Sequence, residues 1–82
     1  MKLSDFVLLS WEEKEYVALH ESILVGKRVN ESYVLFLFQK EDFYIEMVCN
    51  RKSRMLEEVL VFDSPKALTP YLNSIKIDDL FT

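Results

Sequence analysis

Six consecutive residues, Tyr33-Val34-Leu35-Phe36-Leu37-Phe38, are apolar or aromatic without a break. Aromatic and branched residues in that density suit a strand at the centre of a sheet with both faces covered. A fold built on this strand must supply a layer for each face, from its own segments or from another molecule. The chain that has to do so is 82 residues long, which suits a single domain over residues 1–82 and no second one. A domain of that size buries only about 60–65% of the surface its unfolded chain exposes. Its composition meets the demand, with 50% hydrophobic residues, including six Phe, four Tyr and one Trp. A chain this apolar is not an intrinsically disordered one.

The pattern on either side of the central run predicts the remaining elements. Leu3, Phe6 and Val7 fall at helical spacing behind Ser4, a suitable cap. Ser10-Trp11-Glu12-Glu13 has the form of a capping box and opens a second helix over 11–20. Glu12, Glu13 and Glu15 suit the positive end of that helix and read as its solvated start. From Ser22 the period drops to two. An edge strand is expected at 23–29, protected by Lys27 and Arg28, then strands at 33–39, 43–49 and 55–62. The turns between them are short, so the strands form an antiparallel meander. Asp63-Ser64-Pro65 ends the sheet, with Ser64 as cap and Pro65 at the first helical position. Pro70 then forces either a kink or a second short helix, and Tyr71, Leu72 and Ile75 give a last apolar stripe. The predicted class is α+β: N-terminal helices, a four-stranded antiparallel meander and a short C-terminal helix.

Pairing the middle hairpin through a four-residue turn, 39–42, sets Phe38 against Phe43, Phe36 against Ile45 and Val34 against Met47, all on one aromatic face. A turn at 51–54 adds Leu56, Leu60 and Phe62 to that face. The other face receives Tyr33, Leu35, Leu37, Tyr44, Val48, Val59 and Val61, broken by Glu46 and Glu57. It is too apolar for an ordinary solvated face. It is expected to pack against the terminal segments or, in the preferred reading, against another chain. Tyr33, Leu35, Leu37 and Tyr44 would be the anchors there, with Arg51, Lys52 and Arg54 at the rim.

Chemistry-bearing residues are few. The single Cys49 excludes an internal disulfide and, with one His, a Cys/His zinc site. Cys49 reads as a small buried hydrophobe, and His20 as the cation at a helix C-terminus. Gly26 is the only glycine, so neither a phosphate-binding loop nor a dinucleotide-binding turn can be written. Glu57 and Glu58 are strand neighbours expected to point to opposite faces, whereas Glu46 and Glu57 are placed on one face as polar breaks. No active site and no cofactor is expected. The net charge of −4 opposes nucleic acid and anionic membrane. The basic cluster Arg51, Lys52 and Arg54 reads first as a solvated turn. The N-terminus has no signal-peptide pattern, no run approaches a membrane span, and a reducing cytoplasm fits the lone cysteine.

Four short segments carry a resemblance: Leu9-Ser10-Trp11-Glu12-Glu13-Lys14, Asp42-Phe43-Tyr44-Ile45-Glu46-Met47, Val61-Phe62-Asp63-Ser64, and Leu68-Thr69-Pro70-Tyr71-Leu72. In these the chain resembles a group of small bacterial proteins with a DFYVEV-type strand and a closing L-x-P-Y-L segment. Ser22 departs from that pattern, where glycine is expected. The resemblance implies an α+β fold and no particular activity. The function expected from the residues is a small non-enzymatic interaction module, accessory or regulatory, that forms a homodimer through a sheet face. A small-ligand-binding domain with an apolar pocket, or an RNA-binding module, would be the alternatives.

Overall fold

The Ser10 hydroxyl accepts from the Glu13 amide at 3.2 Å, and Glu13 Oε1 accepts from the Ser10 amide at 3.1 Å. This reciprocal pair satisfies amides that no helical carbonyl reaches, and it starts α2, Trp11–His20, where the sequence predicts it. The shorter α1, Leu3–Phe6, differs in one respect: Ser4 lies inside it. The Lys2 amide instead donates to Asp5 Oδ2 at 3.2 Å, because the carboxylate is the better acceptor at that end. These elements come from a computed structural model that describes residues 1–72. Ile75 and the acidic tail at 76–82 lie outside the described residues.

The sheet is an antiparallel meander in the order β1-β2-β3-β4, with β1 Ile23–Val29, β2 Tyr33–Lys40, β3 Phe43–Asn50 and β4 Leu56–Phe62. Two registers differ from expectation. The β2–β3 turn is two residues long, not four, so Phe38 faces Ile45, Phe36 faces Met47 and Lys40 faces Phe43. Glu41 takes the positive φ of 54° that lets so short a turn close. The shift is by two positions, so every side chain keeps its predicted face.

The second difference changes faces. Cys49 pairs with Leu56, but Val48 pairs with Glu58, so β4 carries an extra residue, Glu57, at a bulge. Beyond it Val59 faces Met47 and Val61 faces Ile45, while Leu60 and Phe62 turn to the other side. Of the three β4 residues expected on the aromatic face, only Leu56 stays there. Without the bulge, Glu58 would lie opposite Met47 under the helices, where a carboxylate has no partner. The bulge also places Glu57 and Glu58 together beside Tyr33 and Val48, lining one hollow of about 250 Å³ rather than opposite faces.

Each face has its own layer. On the first, Phe6, Val17 and Ala18 pack against Phe38, Phe43, Ile45 and Met47, with Val59 and Val61 at the margin. On the second, Leu35, Leu37, Tyr44 and Val48 are covered by Tyr71, with Ala67 and Leu68 beside them. Tyr71 ends a continuous 3₁₀ segment, Pro65–Tyr71, capped by the Ser64 hydroxyl, which accepts from the Lys66 amide at 3.2 Å. Pro70 neither kinks this segment nor begins another. The fixed φ of a proline lies within the 3₁₀ range, so the segment continues through Pro70 with only that residue's hydrogen bond missing. The two-sided strand β2 is thus covered by elements of its own chain.

Candidate functional site

The covered second face is built around one close approach. A bulge in β1 at Val25 pairs Gly26 with Leu37 and Arg28 with Leu35, turning both toward Tyr71. Gly26 has no side chain, so the Tyr71 ring can lie against its backbone. Arg28 then stands 4.9 Å from the ring centroid in a cation–π contact. The Tyr71 hydroxyl donates to Glu46 Oε2 at 2.5 Å, and Arg28 Nη2 stands 3.7 Å from the same oxygen. Glu46 is the only buried charged residue among those described, and its two partners supply the compensation a buried carboxylate needs. Burial and then the hydrogen bond to Glu46 push the Tyr71 hydroxyl far above its ordinary value, with Arg28 opposing them.

This arrangement relocates part of the expected interaction surface. Leu37 is fully buried, Leu35 and Tyr44 are buried, and Tyr33 is half-buried, all within the chain's own second core. They serve as the seat of Tyr71 rather than as an open patch. Arg51, Lys52 and Arg54 are exposed in the β3–β4 loop, at the sheet end where the sequence puts them. Asn50 Oδ1 accepts from the amides of Lys52 (2.9 Å) and Ser53 (3.0 Å) and shapes the loop. Arg51 Nη1 reaches the Asn30 carbonyl at 3.0 Å, tying this loop to the β1–β2 turn. Arg54 closes it with a φ of 62°.

Two of these cations border an open groove of about 430 Å³ on the first face, beside the helices. Its floor is Val34, Phe36 and Cys49, and its edges are Lys27, Asn50, Arg51 and Arg54. Lys27 reaches it because register sets Lys27 opposite Phe36, and its Nζ lies 5.7 Å from the ring centroid. No carboxylate lines the groove. Burial, and then the nearby Glu15 carboxylate, push the Cys49 thiol above its ordinary range, the reverse of what a nucleophilic cysteine requires. In the sequence Arg51 and Arg54 mark a rim, whereas Lys27 only protects an edge. The signal that joins them is cross-strand register, which places a lysine beside an aromatic half-covered by the helices.

The outer side of α2 has the opposite character. At 100° per residue, Glu12, Tyr16 and Leu19 fall on the side away from buried Val17 and Ala18, whereas Trp11, seven residues before Ala18, lies on Ala18's side at the start of the helix. Trp11, Tyr16 and Leu19 are 48%, 57% and 52% exposed, an unusual amount of open apolar area for a helix in a small domain. Glu12 and Glu13 are exposed beside them. Among the described residues no three His, Cys, Asp or Glu side chains gather as a metal site requires, and no helix is long and apolar enough to cross a membrane. No family model, curated protein or solved structure matches the chain.

Proposed function

We propose that this chain is a small non-enzymatic interaction module, accessory or regulatory in role, that self-associates through the first face of its sheet. The outer side of α2 from one copy seats in the groove of the second, and a two-fold axis repeats the contact. The observation that carries this reading is the pairing of opposite characters on one face. Lys27, Arg51 and Arg54 border an apolar floor with no acid among the lining residues, in a chain whose net charge is −4. Beside it α2 offers exposed Trp11, Tyr16 and Leu19 with Glu12 and Glu13. Apolar area would supply affinity, and the charges would set register and suppress wrong partners. The sheet face at work is therefore the one only half covered by helices, not the one under Tyr71.

Charge exchange tests it. Lys27→Glu with Arg54→Glu, and separately Glu12→Lys, are each expected to leave monomers. Mixing the two variants should restore a heterodimer, because both contacts become complementary again. Monomers that stay monomeric on mixing would count against this contact. Binding of single-stranded RNA by the parent chain, lost in Lys27→Glu with Arg54→Glu, would assign the groove to a different partner.

A further inference from the structure

A second pocket, of about 290 Å³, opens between the 3₁₀ segment and the covered face of the sheet. That size sits near the lower end of the range for small-molecule sites, about 300–1,000 Å³. Its polar lining carries both signs of charge: Arg28 and Lys66 are cations, Glu46 and Asp63 anions. Phe62 and Pro70 supply apolar wall. Glu46 is fixed, its side chain only 9% exposed and its Oε2 held by Tyr71 and Arg28. Arg28 Nε is buried with no hydrogen-bond partner among the described residues. The Lys66 ammonium and the Asp63 carboxylate form no ion pair among the described residues either. Among the described residues the pocket thus holds an incompletely satisfied cation beside a buried carboxylate, with exposed Lys66 and Asp63 lining it outside any ion pair.

A simple anion would meet Glu46 and Asp63, and a simple cation would meet Arg28 and Lys66. A small molecule carrying both charges on neighbouring atoms avoids either conflict. We propose that this pocket binds a free α-amino acid, its carboxylate directed to Arg28 and Lys66, its ammonium to Asp63 and Glu46, and its side chain against Phe62 and Pro70. The recognition is electrostatic at the head and apolar at the tail, the usual division in a small-ligand site. This inference is independent of the self-association proposed above, because it uses the opposite face of the sheet.

The test is amide NMR on the full chain, titrated with individual L-amino acids at millimolar concentration. Shifts confined to Arg28, Glu46 and residues 62–70 are expected for at least one of them. The same compound without its amino group, and without its carboxylate, should each fail to bind. Lys66→Ala and Asp63→Asn alter exposed side chains and keep the fold, and each should weaken binding roughly tenfold, the loss of one charge-assisted hydrogen bond. No amino acid shifting these signals would overturn the proposal. So would single-charge analogues that bind as well as the parent compound, or affinities unmoved in both variants.

Discussion

Gly26 and Tyr71 share one space: a Cβ on residue 26 would stand 2.8 Å from Cδ1 of the Tyr71 ring and 3.1 Å from its Cγ. The only glycine of the chain therefore lies directly beneath the Tyr71 ring. Its role here is the absence of a side chain, since its φ is not positive. Gly26→Ala should displace the ring and destabilise the fold by about 1–3 kcal/mol, the usual cost of overpacking a filled site. Urea unfolding measures it, and a variant as stable as the parent would show that Tyr71 is not seated as described.

The Tyr71–Glu46 hydrogen bond gives a sharper variant. Tyr71→Phe keeps the ring and its packing but removes the hydroxyl that donates to buried Glu46. The expected cost is about 1–3 kcal/mol, from leaving Glu46 with only Arg28 among the described residues. Tyr71→Ala also leaves a cavity and should cost more, about 3–5 kcal/mol by analogy with other large-to-small core changes. Equal losses in the two would mean that the ring contributes nothing beyond its hydroxyl.

The same hydroxyl predicts a dependence on alkaline pH. In the folded chain it ionises far above its ordinary value of 10.0, mainly because it is buried. The unfolded chain gives up that proton first, so stability from this group is complete below pH 10 and falls as pH rises above it. Absorbance titration should show Tyr71 resisting ionisation until the protein unfolds. Tyr71→Phe should remove that tyrosine from the titration and flatten the alkaline loss of stability.

Leu37 decides between core and contact on the second face. Because it is fully buried under the chain's own 3₁₀ segment, Leu37→Asp should unfold the protein. A folded, well-dispersed NMR spectrum from that variant would return this face to the list of intermolecular surfaces.

Much of the architecture can be read from the residues, for reasons that are local. Ser10 and Glu13 define α2 through a contact three residues apart, and period-two apolar runs define the four strands. What cannot be read is where a strand skips a residue. The period-two pattern of β4 is equally consistent with either face until Glu57 is placed at a bulge, and that choice depends on what covers Met47. The coverage of β2 was hidden for a related reason. One tyrosine beyond a proline covers the second face only because a glycine lies beneath it, and those residues are 45 positions apart. The groove was half legible: Arg51 and Arg54 cluster in sequence, whereas Lys27 joins them only through pairing with Phe36.

Light scattering of the parent chain across a wide concentration range tests the central claim, self-association through the first face, most directly. The account predicts a mass that approaches two chains as concentration rises and returns to one chain in Lys27→Glu with Arg54→Glu. A mass of one chain at the highest concentration reached would contradict it, and so would a dimer that the charge reversal leaves intact.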